Sequence, residues 1–142
     1  MLVPINQFCS QPVWETKAWG KVLHVFASPF AAVSYLEFLA KTRCSVHYHR
    51  VRANQFCVIE GKVLIEEFDA IPTNPVRQTL LAPGMSFIVP SRVVHRFRAI
   101  TAGQMIEVYW ADRKGAVTRD DIVRFDTGGE DTEPLTIKDQ WR

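Results

Sequence analysis

The clearest chemical signal in the sequence is a pair of histidines, His47 and His49, on either side of Tyr48. Side chains alternate between the two faces of a β-strand, so residues two positions apart project to the same side. On a strand, the two imidazoles would point together and Tyr48 would point away. Neutral imidazole nitrogen is a good ligand for zinc, iron, nickel and copper. The pair therefore predicts a metal site, and two histidines that only form hydrogen bonds are the competing interpretation.

The elements that would position these histidines are short β-strands. Short apolar segments recur between turn signals, and Glu60-Gly61-Lys62 is typical of a hairpin turn. Further turn signals separate later segments at Pro83-Gly84, Pro90-Ser91-Arg92 and Thr101-Ala102-Gly103. Strands this short, with turns this regular, indicate an all-β sandwich or barrel.

The C-terminal part of the chain has a different character. Thr118 can cap a helix, and the acidic Asp120 and Asp121 suit the positive end of a helix dipole. The sequence thus predicts a short helix beginning near Thr118. The residues that follow, 127–142, are polar and predict a loose tail.

The residues around the histidine pair resemble the first motif of the cupin superfamily. That motif is a His-x-His pair, a Glu after three or four residues and a Gly after six more. The chain offers His47, His49, Asn54 and Gly61 at that spacing. The resemblance implies that position 54 belongs to the metal site.

A second cluster of residues is similar to the second cupin motif. That motif is a Gly, five residues, Pro-x-Gly, two residues and a His. The chain matches it with Gly84, Pro90, Arg92 and His95. The two motifs occur in the family's order and at a suitable separation, so the resemblance implies that His95 joins the histidine pair.

The resemblance extends from Trp19 to Asp126 and implies an all-β double-stranded β-helix, the jelly-roll or cupin barrel. We therefore predict a barrel over residues 19–126. An N-terminal extension, residues 1–18, precedes it, and the tail of residues 127–142 follows it.

The resemblance also implies one divalent transition metal (zinc, iron, manganese or nickel) on His47, His49, His95 and Asn54. Asn54 replaces the Glu of the family, and its amide oxygen is a neutral, weaker ligand. Arg92 replaces a motif Gly, so the turn there differs or carries a charge to the rim. Three neutral imidazoles would leave the ion's charge uncompensated, which favours an anionic ligand.

Glu107 is a further acidic candidate. In the predicted strand from Gln104 to Trp110, it shares one face with Met105 and Tyr109. If that face points inward, Glu107 is a general base or replaces the missing carboxylate ligand. The competing interpretation is an exterior Glu beside a basic residue, because charged side chains are rarely buried unpaired.

The flanking segments suggest a reaction. Trp19-Gly20 and the run Asp120–Arg124 look like parts of the cupin domains of mannose-6-phosphate isomerase and sugar-nucleotide enzymes. This implies a metal-dependent, isomerase-like enzyme acting on a small anionic or polyhydroxylated ligand such as a sugar or sugar phosphate. Glu107 would move the proton, and Arg50 and Arg92 would bind the substrate.

Other functions fit the same residues. A three-histidine ferrous site with open positions resembles the cupin dioxygenases. The loss of the family's Glu also suits a cupin without catalysis, one that holds a small ligand or whose histidines no longer bind metal. The metal's identity and the turnover of a ligand would separate these hypotheses.

Composition and charge bear on the partners and the cellular location of the protein. The formal net charge of +2 gives no argument for a nucleic-acid or membrane partner. No apolar run reaches the ~18 residues of a transmembrane helix, and the first residues do not resemble a signal peptide. Cys9, Cys44 and Cys57 form no CxxC motif, so we expect a reducing cytoplasm. Apolar residues before Trp19, such as Phe8, predict a homodimer formed through an N-terminal strand.

Overall fold

A computed structural model describes residues 12–135 of the chain, and this range consists of strands, turns and irregular segments. The strands in chain order are β1 (Trp14–Lys17), β2 (Gly20–Ala27), β3 (Ala31–Phe38), β4 (Thr42–Arg43), β5 (His47–Tyr48), β6 (Arg52–Glu60), β7 (Val63–Phe68), β8 (Pro75–Leu81), β9 (Ser86–Val89), β10 (Val94–Ala99), β11 (Gly103–Ala111), β12 (Val123–Arg124) and β13 (Gly129–Glu130). No helix in this range is long and apolar enough to cross a membrane.

The strands form two antiparallel sheets. The first has the order β1-β2-β3-β11-β6-β9. In the second, the short strands β4 and β5 pair with successive parts of β10 on one side, while β7 and then β8 lie on the other. The all-β jelly-roll fold predicted from the sequence is confirmed.

Alternation of side chains along the strands explains why the sheets pack face to face. On β6, Asn54, Phe56 and Val58 are buried, while Gln55 and Cys57 between them are partly exposed. The apolar core includes residues from both sheets, so it lies between them. Burial of this apolar surface is the main force that holds the sheets together.

The core ends against the second cupin-like motif. The ring of Phe56 contacts Phe97 on β10 at a centroid distance of 6.3 Å. It also lies 6.2 Å from the imidazole of His95, two residues earlier on the same strand. Phe97 and His95 are successive inward residues of β10. The first belongs to the apolar core, and the second belongs to the histidine cluster.

The helix predicted at Thr118 is wrong. Residues 118–121 form a turn in which the Asp121 amide donates to the Thr118 carbonyl at 3.4 Å. The physical reason is that the Asp121 carboxylate accepts the backbone N–H groups of Arg50, Val51 and Arg52 at 2.8 to 3.0 Å. These contacts attach the segment to the barrel, and the Asp121 carboxylate is not available to stabilise the start of a helix.

The described part of the predicted tail is also anchored, in contrast to the loose segment expected. Strand β13 pairs with β4, and Asp131 accepts a hydrogen bond from Arg98 Nε at 2.7 Å. Glu133 accepts one from Arg96 at 2.7 Å. Residues 136–142 lie outside the described range.

The N-terminal prediction is only partly covered by the described residues. Strand β1 pairs with β2 of the same chain, with Trp14 opposite Leu23. Phe8 and Cys9 fall among residues 1–11, which lie outside the described range. The domain boundaries, the homodimer and the cytoplasmic location remain predictions.

Candidate metal centre

Two strands of the second sheet bring the histidines together. His47 on β5 lies directly opposite His95 on β10, and both side chains point inward. His49 follows β5 by one residue. The imidazole centroids are 4.5 Å apart for His47 and His95, 5.0 Å for His47 and His49, and 5.6 Å for His49 and His95. The structure thus joins in one cluster the histidines of both sequence motifs.

Backbone carbonyl groups orient all of these rings in the same way. The Nδ1 atoms of His47, His49 and His95 lie 2.7, 2.7 and 2.8 Å from the carbonyl oxygens of residues 45, 121 and 93. A carbonyl oxygen only accepts, so Nδ1 carries the proton of each neutral ring. The lone pair is then on Nε2, the arrangement that second-shell partners impose on metal-binding histidines.

Two of the remaining ring nitrogens lack hydrogen-bond partners in the described part of the chain. Nε2 of His49 and Nε2 of His95 are buried, and neither has a hydrogen-bond partner within residues 12–135. One ligand nitrogen from each histidine can be chosen so that all lie within 4.8 Å of one another. Leaving a buried acceptor unpaired costs about 1–3 kcal/mol. A cation bound between these nitrogens would remove that cost, so the residues fit a divalent transition metal.

Burial also keeps the cluster neutral. It lowers the pKa of His49 to about 3 and that of His95 to about 4. Burial likewise lowers the pKa of His47 well below its usual value, and the neighbouring histidines add to the effect. Neutral imidazole is the form that ligates metal.

Asn54 and Glu107 form a buried pair on the facing sheet. Asn54 on β6 is 0% exposed, and its Nδ2 donates to Oε2 of Glu107 on β11 at 2.8 Å. The amide oxygen, Oδ1, has no hydrogen-bond partner in the described part of the chain. An ionised Glu107 only accepts, so it turns the amide nitrogen towards itself and leaves Oδ1 free for another partner.

Glu107 is buried, as the inward orientation of its strand face requires. Burial raises the pKa of its carboxyl group, while the Tyr109 hydroxyl, the charge of Arg52 and the amide of Asn54 oppose this. Glu107 is not part of the ligand cluster, in which the described residues supply histidines alone.

A cavity of about 890 Å³ opens onto this centre, and His47, His49 and Glu107 are among the residues that line it. Its arginines are Arg52, which is buried, and Arg119 and Arg124, which are exposed. It offers room for a ligand beside the histidines, with positive charge nearby.

The two arginines that the sequence assigned to the substrate lie elsewhere. Arg50 and Arg92 are exposed, and neither belongs to the residues that line the cavity. Their role as substrate contacts remains a prediction from the sequence.

Comparison with known proteins agrees with this architecture. No protein-family model matches the sequence, and no curated protein matches it significantly. An RmlC-like cupin from Shewanella frigidimarina is 22% identical, with a TM-score of 0.61 over 73% of this chain and 87% of that chain. KdgF from a Halomonas species is 17% identical, with a TM-score of 0.60 over 78% of this chain and 92% of that chain. Oxalate decarboxylase from Bacillus subtilis is 16% identical, with a TM-score of 0.64 over 80% of this chain and 30% of that chain.

The chain has the cupin fold. The likeness at these identities concerns the fold, so the finer resemblance to mannose-6-phosphate isomerase stays a prediction. The structure shows how the chain accommodates the departure from the second cupin motif at position 92. Arg92, in place of the motif Gly, adopts a φ of 66°, in the left-handed region that glycine favours. Its amide donates to the His49 carbonyl at 2.6 Å, so the turn keeps its contact with the metal centre.

Sequence reasoning missed two residues of this site. Asp121 fixes the loop after His49 with its carboxylate and the His49 ring with its carbonyl. It is distant in sequence, and no spacing rule links it to the histidines. Arg52 was detectable in principle, because it lies two positions before Asn54 and shares its inward parity.

Proposed function

We propose that this protein is a metal-dependent cupin enzyme that binds one divalent transition ion on His47, His49 and His95. Its ligand is a small anionic or polyhydroxylated molecule, and the reaction is isomerase-like, on a sugar or sugar phosphate. The observation that carries the proposal is the convergence of neutral, buried imidazoles, two of whose Nε2 atoms have no hydrogen-bond partner among the described residues. Asn54, through its unpartnered Oδ1, is the proposed fourth ligand.

The charge of the centre supports this ligand class. The imidazoles are neutral, so they leave the charge of a bound ion uncompensated in a buried site. A bound ion would act as a Lewis acid that polarises oxygens of the ligand. The cavity beside His47 and His49 gives such a ligand access.

Glu107 is the proposed proton carrier. Aldose–ketose isomerisation removes a proton from the carbon beside a carbonyl group and returns it to the neighbouring carbon. A carboxyl group whose pKa burial has raised is suited to accepting and returning a proton. The hydrogen bond from Asn54 would fix the Glu107 carboxylate while it accepts and returns the proton.

The test is proton exchange at the reacting carbon. Aldose and ketose phosphates are incubated with the protein in deuterated water, and NMR follows deuterium incorporation at the second carbon. We expect exchange by the parent, and at most background exchange by Glu107→Gln, by His95→Ala and after chelation. Exchange that survives all of these changes would contradict the proposal, as would its absence from a metal-loaded parent across the panel.

Oxygen chemistry is the second candidate function. It is favoured by one observation, the absence of any carboxylate from the ligand cluster of the described residues. Oxygen uptake that depends on added ferrous iron, with no deuterium exchange, would support it. A ligand that binds tightly and is recovered unchanged would instead indicate a cupin without catalysis.

A further inference from the structure

The cavity wall contains a buried cation, Arg52. The residue is 6% exposed, and its guanidinium carbon lies 4.1 Å from the centre of the Tyr109 ring. The Asp121 carboxylate accepts a hydrogen bond from the backbone amide of Arg52 at 3.0 Å, which fixes the backbone from which the side chain extends. The stacking on Tyr109 fixes its other end, so the guanidinium is preorganised at the cavity surface.

No described carboxylate pairs with this cation. Within residues 12–135, the only polar contact of the Arg52 side chain is that of Nε with His49 Nδ1, at 3.2 Å. That nitrogen already directs its proton to the Asp121 carbonyl at 2.7 Å, so it has no lone pair to offer. The guanidinium donors therefore lack an acceptor within the described chain.

Other buried arginines of the same protein show what is missing. Arg96 lies 3.0 Å from Glu66, and Arg98 lies 2.7 Å from Asp131. Burying a charge is costly unless it is paired and hydrogen-bonded, and these two arginines obey that rule. Arg52 is as buried as they are, and it faces a cavity instead of a carboxylate.

We propose that Arg52 binds a carboxylate group of the ligand, which narrows the proposed sugar-like substrates to those that carry a carboxylate. A planar carboxylate accepts two parallel hydrogen bonds from a guanidinium, and removal from water strengthens them. A single negative charge matches Arg52, the buried arginine among the described residues that line the cavity. The inference shares its cavity with the proposed function and deepens it, but the contact itself requires no metal.

The test compares acetate with acetamide, its neutral counterpart of the same shape, at constant ionic strength. Affinity is measured from the rise of the thermal midpoint with ligand concentration, on the full chain as purified and again after chelation, with metal content recorded. We expect the parent to bind acetate in both states and to ignore acetamide. Arg52→Met should weaken acetate binding roughly ten- to hundred-fold.

Two further variants keep the test decisive. Arg77→Met removes the same charge from an exposed position outside the cavity, and we expect it to bind acetate as the parent does. Arg52→Lys keeps the charge and loses the paired donors. We expect intermediate affinity from it, which covers the case in which Arg52→Met fails to fold.

Several outcomes would overturn the inference: parent-like acetate binding by Arg52→Met or Arg52→Lys, equal loss in Arg77→Met, or tighter binding of inorganic phosphate than of acetate. Failure of the proposed function looks different. A chain that holds no metal but binds acetate through Arg52 would refute the metal enzyme and leave this inference intact.

Discussion

The two faces of β10 carry buried polar groups in opposite states. On the outer face, Arg96 and Arg98 form ion pairs with acidic side chains. Arg96 Nε lies 3.0 Å from Glu66 Oε1, and Arg98 Nε lies 2.7 Å from Asp131. On the inner face, Nε2 of His95 is buried without a partner in the described chain. Alternation along one strand places these contrasting environments on neighbouring residues.

The difference distinguishes structure from function. A buried polar network whose members are all satisfied makes the barrel rigid and attaches the segment of residues 130–135. Buried groups left unsatisfied by the described residues, such as His95 Nε2 and Asn54 Oδ1, indicate where a ligand completes the site. Changes on the outer face should therefore affect stability, and changes on the inner face should affect binding.

The largest expected effect is on the outer face. Glu66→Ala would remove the buried partner of Arg96 and leave it only the half-exposed Glu133, while Arg98 would keep Asp131. We expect the free energy of unfolding to fall by about 3–5 kcal/mol, measured by urea denaturation. Metal content should not change. The exposed Glu60→Ala is the matched control, and a loss below about 1 kcal/mol for Glu66→Ala would break the comparison.

A smaller effect is expected on the inner face. Asn54→Glu places a charged ligand where the chain has a neutral one, and we expect divalent metal affinity to rise about ten-fold in a competition titration. The new carboxylate would also lie beside Glu107, so the matched variant is Asn54→Gln, which adds length without charge. Unchanged affinity in Asn54→Glu would show that position 54 does not contact the ion.

The smallest effect concerns acid. Hydrogen bonding to Arg96 holds the pKa of Glu133 below its usual 4.5. The ionised group therefore stabilises the fold above that value, and the contribution is lost as pH falls through the lowered pKa. We expect Glu133→Gln to have a lower thermal midpoint than the parent at pH 7, and the difference to shrink as pH falls below 4.5. A constant difference across this range would contradict the assignment.

The sequence was sufficient for the fold and for the three histidines, because both depend on local periodicity and motif spacing. Asp121 was missed since its role depends on contacts between distant segments. Parity with Asn54 could have placed Arg52 on the inward face, but its stacking on Tyr109 joins segments that are far apart in sequence. The predicted helix at Thr118 was wrong for a related reason. Helix capping signals were present, but the Asp121 carboxylate instead accepts backbone groups of the loop after His49.

The most direct test of the central claim is elemental analysis of the purified, untagged protein. It is compared with His47→Ala/His49→Ala, and with His24→Ala as a histidine control outside the cluster. We predict about one equivalent of a divalent transition metal in the parent and in His24→Ala, and little in the double variant. A parent without metal, even after reconstitution with zinc, iron, manganese and nickel, would contradict the account.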